Sequence, residues 1–326
     1  SRGLGDVYKR QVTTTTNSSS VTYDRAVPTL SAVTVTSNND NSAYAKEGDI
    51  VTLSFTSSEN LQTDPTVTMD GNAATVSGSN TSWTAAYTMQ SGDTEGDINF
   101  TIDFLDLASN SGSQVTSLTS GDKIVYDETV PTLPTVDISS NNSNGATFAK
   151  VGDVITISVS ASENIQTPTV TIAGNAAAIA SGSNGERVYT ATYMMQSSDN
   201  TGVIPFTVDF SDMANNTGTQ VTAVNNDSDG GVTFDKQAPS FTTVTMSSDN
   251  STSTLAIVND VITLNLTSDE AIKTGSDPTI TVNGNTATVT RNSTTSFTAT
   301  YTMSSPADDA VAVSYTHLRA HETTNY

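Results

Sequence analysis

Two sets of oxygen-bearing residues recur at matched positions and could hold a cation. Glu59, Asp106, Asn110 and Asp127 form the first; Glu163, Asp212, Asn216 and Asp235 form the second. Calcium takes about 6–8 hard oxygen ligands, mixing carboxylates with amide and backbone carbonyls. Each set joins a Ser-Glu-Asn segment, a late Asp-x-Ala-x-Asn loop and the Asp before the next proline linker. Such a set would fall at the joint between successive units, where a bound ion would stiffen the chain. A plainer account of the same residues has Asp106 and Asp212 closing local Asx turns, and Asp127 and Asp235 merely preceding a linker. No EF-hand or nonapeptide calcium loop accompanies them.

Other chemistries find little support. Cysteine is absent, and the two histidines, His317 and His321, both lie near the C-terminus. The body of the chain therefore lacks the imidazole and thiol groups of Ser-His-Asp, Cys-His and His/Cys zinc sites. Two carboxylates flanking a cleft could hydrolyse a glycosidic bond. Here the same carboxylates recur in every copy, and nothing marks one copy as special, so no catalytic residue is assigned. With 34 acidic and 12 basic residues the net charge is −22, which disfavours nucleic acid and favours cations.

The elements that must position these groups are internal repeats. The central copy opens at Asp127-Glu128-Thr129-Val130-Pro131 and continues through Lys150-Val151-Gly152-Asp153 and Ser162-Glu163-Asn164. It closes with Asp212-Met213-Ala214-Asn215-Asn216 and Val232-Thr233-Phe234. The preceding copy opens at Asp24 and Pro28, and the following one at Asp235 and Pro239. Residues 12–23 correspond to the last strand of a still earlier copy, because Val21-Thr22-Tyr23-Asp24 matches Ile124-Val125-Tyr126-Asp127.

Within each copy the period is two. Ile155, Ile157 and Val159 alternate with Thr156 and Ser158, and Ile204, Phe206, Val208 and Phe210 alternate with polar neighbours. About seven strands are expected per copy, including one over Gln220–Val224, with turn signals between them. Trp83, Tyr189 and Phe297 share one repeat position and Tyr87, Tyr193 and Tyr301 another, four residues on. An even offset puts both on one face, as core plugs. Thr, Ser, Val, Asn and Asp dominate the composition, which suits pleated surfaces and turns.

These phrases resemble bacterial immunoglobulin-like repeat domains, found in tandem in large secreted or surface adhesins. The resemblance spans about residues 24–312 and rests on the Asp-x-x-x-Pro entry, the Lys-x-Gly-Asp turn, Ser-Glu-Asn and Asp-x-Ala-x-Asn. In the last phrase the family's usual glycine is replaced by Ser109 and Asn215, so a left-handed turn there would fall on Ser or Asn. The resemblance implies an all-β chain of tandem immunoglobulin-like β-sandwiches acting as an extracellular or cell-surface stalk in spacing and adhesion. Its partners would be neighbouring repeats, with a glycan or surface ligand as the alternative, reached through loops such as Ser181-Gly182-Ser183-Asn184-Gly185. An accessory region of a secreted hydrolase is a further alternative. No membrane span is expected.

The ends differ from the repeats. Residues 1–11 back-translate to DNA resembling a transposase-based sequencing adapter. The reverse complement of that DNA, in another frame, encodes the run Val313 to Glu322. Segments 1–11 and 313–326 are therefore set aside as adapter-derived, and the chain reads as a metagenomic or assembly fragment open at both ends. The expected domains are then 24–126, 127–234 and a shortened 235–312. A shortened sandwich leaves an open core, so the third repeat should melt below the second and protect its amides less. Domain-resolved hydrogen exchange during heating checks this; equal midpoints would contradict it.

Overall fold

The computed structural model describes residues 21–225 and 230–304, and these contain strands and turns but no α-helix. Both ends set aside from the sequence, 1–11 and 313–326, and residues 12–20 lie outside the described residues, and 21–23 form no strand. The chain divides into two compact units, Ser1–Thr129 and Val130–Tyr326. The first has one hydrophobic core; the second has two, one in each of the second and third repeats.

In the first unit, four antiparallel strands form one layer, ordered Leu30–Ser37, Ile50–Ser57, Ser82–Thr88 and Thr75–Ser79. Val51, Leu53 and Phe55 point inward from the second of these while Thr52 and Ser54 are half-exposed, the expected alternation. Opposite lie two smaller sheets. One is Asn72–Ala73, Thr66–Met69 and Phe100–Asp103; the other is Tyr44–Ala45, Val125–Tyr126 and Gly96–Asp97. The closing strand Val125–Tyr126 runs parallel to Tyr44–Ala45 and antiparallel to Gly96–Asp97, so it is the centre of its sheet. Ile124 and Tyr126 are consequently buried.

The second repeat reproduces this plan strand for strand, with Phe148–Ala149, Thr233–Phe234 and Gly202–Val203 in the closing sheet. The all-β sandwich expected from the sequence is thus the fold observed. The aromatic column holds at its first position: Trp83 pairs with Phe55, Tyr189 with Val159 and Phe297 with Leu266, all buried. Its second position is a rim, not a plug. Tyr87 and Tyr193 are half-buried and donate their hydroxyls to Asp93 and Asp199 at 3.2 Å each. A phenol at the core edge keeps its ring dry and its oxygen bonded.

One expected strand is absent. Across Gln220–Val224 only Val221 pairs, with Val208. By Asn225 the chain has crossed to the other layer, where the Asn225 side chain accepts from Val136 N at 2.7 Å and the Asn225 amide donates to Val136 O. That crossing leaves no room for a ladder. The third repeat keeps the four-stranded layer, Phe241–Ser248, Val261–Ser268, Ser296–Thr302 and Thr288–Arg291, and the short pair Thr281–Val282 and Asn285–Thr286.

A turn after each late strand folds back so tightly that a phenylalanine ring lies on a glycine. A Cβ built on Gly112 would sit 2.2 Å from Phe104, and one on Gly218 2.2 Å from Phe210. Gly218→Ala should therefore cost about 1–3 kcal/mol through overpacking. Urea denaturation of the second unit checks this, and a cost near zero would refute the close packing.

Candidate acidic site

The loop that follows Phe104 is built around Asp106. Its carboxylate is fully buried. The Oδ1 atom accepts from the amides of Ala108 and Asn110, both at 2.8 Å, and Oδ2 accepts from Asn110 Nδ2 at 2.7 Å. Burial pushes the Asp106 carboxyl up, but these donors outweigh burial and hold it below the ordinary range, so it is charged. Asp212 is equally buried and accepts from Asn216 N and Nδ2 at 2.8 and 2.7 Å. The turn needs a left-handed residue, and Ser109 and Asn215 supply it, with φ of 67° and 68°. These are the positions where the glycine of the resembled phrase is replaced. Asn110 and Asn216, two of the expected cation ligands, donate their Nδ2 atoms to the aspartates and fix them. They sit four residues on, where the loop aims their amides back at the carboxylate.

The Ser-Glu-Asn segment is carried to this loop by pairing. Leu61 bridges Asp106 and Gln62 N donates to Leu105 O; Ile165 bridges Asp212 and Gln166 N donates to Ser211 O. A second clamp fixes the entering chain. Thr29 N donates to Ser58 Oγ at 3.0 Å, and Pro28 is buried beside it. In the third repeat Asp269 replaces the serine and accepts from Ser240 N at 2.7 Å. Asp24 closes its own Asx turn by accepting from Ala26 N at 2.9 Å.

The result in the first unit is a group of three carboxylates, Asp24, Glu59 and Asp106, each offering one oxygen within 4.8 Å of the others. In the second unit Glu163 and Asp212 repeat the last two within the same limit. Asp24 was not among the expected ligands, and Asp127, which was expected beside Glu59 and Asp106, is elsewhere. The Asp127 amide donates to Ala45 O, at the start of the run leading into strand Ile50–Ser57, whereas Glu59 follows that strand's far end. Eight strand residues separate the two poles by roughly 25 Å. Asp235 likewise donates to Ala149 O, at the pole opposite Glu163. In the first and third repeats the opening Asp, Asp24 or Asp235, therefore stands beside that repeat's own Glu, Glu59 or Glu270. The recurrence of Asp-x-x-x-Pro ahead of every Ser-Glu phrase was the available signal.

Like charges gathered together raise one another's proton affinity. Burial first, then the charges of Asp24 and Asp106, raise the Glu59 carboxyl. At the equivalent site of the third repeat, burial, the charges of Asp235 and Asp269 and a hydrogen bond with Asp235 push Glu270 up to about 7. Its Oε1 is sealed from solvent without a hydrogen-bond partner. The position equivalent to Asp106 falls outside the described residues there.

A cation is chemically compatible with the first-unit group. Two oxygens each about 2.4 Å from calcium lie at most about 4.8 Å apart. Three donors occupy three of the roughly four lone-pair directions of Asp106, leaving one on Oδ2 for an ion. Backbone carbonyls and water would complete the shell.

No family model matches the chain, and no curated protein does. Solved structures similar to it include the I9–I11 tandem of titin, at 10% identity and a TM-score of 0.29, covering 81% of this chain and 88% of that one. A dimeric latent PorU from Porphyromonas gingivalis aligns at 10% identity and a TM-score of 0.23, over 84% of this chain and 29% of that chain. A putative phosphatase from Bacteroides thetaiotaomicron aligns at 9% identity and a TM-score of 0.20, over 82% and 46% of the two chains. At such scores none of the three assigns an activity here.

A pH dependence follows from Glu270. Its folded-state value of about 7 exceeds the ordinary 4.5, so the folded state binds more protons between those limits. Stability of the third repeat should then fall as pH rises from about 4.5 to 7 and stay low above. With solvent screening the melting midpoint should drop by only about 2–5 °C, and Glu270→Gln should abolish the drop. A midpoint that rises over this window would reverse the assignment.

Proposed function

We propose that this chain is a non-enzymatic repeat stalk of an extracellular or cell-surface protein, acting in spacing and adhesion and stiffened by calcium where each repeat receives the incoming linker. The observation that supports it is recurrence. The same Glu and the same donor-locked buried Asp stand at the same pole of the first two repeats, Glu59 with Asp106 and Glu163 with Asp212. A catalytic pair would need one copy to differ from the rest, whereas a structural ion site gains by repetition. Clamping of the entering chain by Ser58 and Ser162, through Thr29 and Thr132, suits a joint whose geometry must be set. Among the described residues no helix is long and apolar enough to cross a membrane. The high negative charge would keep a long array soluble and draw divalent cations to it.

Thermal unfolding of the full chain with calcium and with chelator tests the reading. Extracellular calcium modules bind at about 0.1–1 mM, so 10 mM calcium should stabilise each occupied repeat by roughly 1.5–3 kcal/mol, a rise of about 5–15 °C. Glu59→Gln should behave oppositely in the two conditions. In chelator it removes like-charge repulsion and raises the first unit's midpoint; in calcium it removes a ligand and lowers the response. No shift at 10 mM calcium would leave a proline-linked spacer without an ion.

A further inference from the structure

Three asparagines of the chain are followed by glycine: Asn144, Asn184 and Asn283. In such a pair the glycine amide can attack the side-chain carboxamide, because no Cβ shields its nitrogen. The three differ in what holds them. Asn184 Oδ1 accepts from a neutral amide, Thr167 N, at 3.3 Å. Asn283 and Gly284 are locked in the tight turn between Thr281–Val282 and Asn285–Thr286, with φ of 50° and 78°.

Asn144 stands apart. Lys273, in the third repeat, donates its ammonium to Asn144 Oδ1. A charged donor on that oxygen polarises the carbonyl and stabilises the oxyanion that forms when Cγ is attacked. Asn144 Nδ2, the group that has to leave, is sealed from solvent and has no hydrogen-bond partner among the described residues. Gly145 N is held only by a long bond to Asn142 O, at 3.3 Å. Position 145 has φ of 152°, which favours glycine, so the fold itself keeps the nucleophile unshielded. The amide of Asn144 donates to Asn142 Oδ1, as Asn41 does to Asn39 and Thr252 to Asn250. Those counterparts precede Ser42 and Ser253, so of the three repeats the second alone joins carboxamide to glycine at this position.

We propose that Asn144 is a self-modification site, converted to aspartate or isoaspartate with Lys273 as the group that activates its carbonyl. Gly145 N bonds to Asn144 Cγ and passes its proton to Nδ2; the Cγ–Nδ2 bond breaks and ammonia departs. Water then opens the cyclic imide, and a carboxylate replaces the carboxamide. An ammonium has no lone pair, so Lys273 polarises the carbonyl and does not itself attack. The contact of the second repeat with Lys273 of the third thereby becomes an ion pair, made only after both repeats have folded.

Peptide mass spectrometry of the full chain, incubated near neutral pH, follows all three sites at once. Asn144 should convert at least about tenfold faster than Asn184 and Asn283, a modest share of what one oxyanion donor supplies in a closed site. In Lys273→Met the excess should vanish while Asn184 is unchanged; Lys273→Arg, which keeps a charged donor, should retain most of it. Lys273→Met leaves in place the backbone carbonyl that Arg291 binds, and an unchanged Asn283 rate verifies that the third repeat of the variant is folded. In urea the three rates should converge, because the tertiary contact is then gone. An Asn144 no faster than the other two overturns the proposal. So does an excess that survives urea or Lys273→Met, the sign of sequence-driven reaction. A Lys273–Asn144 cross-linked peptide does so as well, since Nζ would then be the nucleophile.

Discussion

A buried carboxylate has to be given hydrogen bonds, and in this chain that requirement shapes the acidic pole of the sandwich. Asp106 and Asp212 lie out of water and are held by backbone and side-chain donors from their own loop. Without those donors a charge so placed would be costly. Supplying them dictates the loop: a left-handed residue at 109 and 215, an asparagine four positions after the Asp, and a return tight enough to press a phenylalanine ring on a glycine. The neighbouring Ser-Glu segment pairs with this loop, so Glu59 and Glu163 arrive beside a charge that was already fixed. The pole is acidic because the pairing that carries the Ser-Glu segment sets a second carboxylate beside the fixed aspartate.

A second constraint concerns how a repeat ends. The closing strand is the centre of its small sheet, pairing on both sides, and its Tyr126 or Phe234 completes the core. Core completion is thus assigned to the last residues of each copy, directly ahead of the linker to the next. Edge protection and chain entry are handled at opposite poles, so the joint chemistry and the closing chemistry do not compete for residues.

Much of this was legible in the sequence. Period-two alternation at Ile155, Ile157 and Val159 fixed an inward face, since each pleat reverses the side chain. Repetition of Asp-x-x-x-Pro, Lys-x-Gly-Asp and Asp-x-Ala-x-Asn marked the copies, and the replacement of glycine by Ser109 and Asn215 correctly located the left-handed turn. Three things were not. The half-buried Tyr87 and Tyr193 share a face with the core but reach its edge, a matter of depth that alternation does not encode. Gln220–Val224 has strand composition yet crosses between layers. Asp127 was grouped with the wrong glutamate.

That last error locates the boundary between the two kinds of information. Local propensity and spacing determined the strands, the turns, the repeat unit and the identity of the acidic residues, because these depend on neighbours in the chain. Which carboxylates meet depends on the pole at which each strand ends. The parallel pairing of Val125–Tyr126 with Tyr44–Ala45 sends Asp127 to the far end of strand Ile50–Ser57 from Glu59. Asp24, 82 residues before Asp106 by subtraction, takes its place. Long-range strand pairing made that choice, and its energy comes from a core that forms only when the whole repeat has folded.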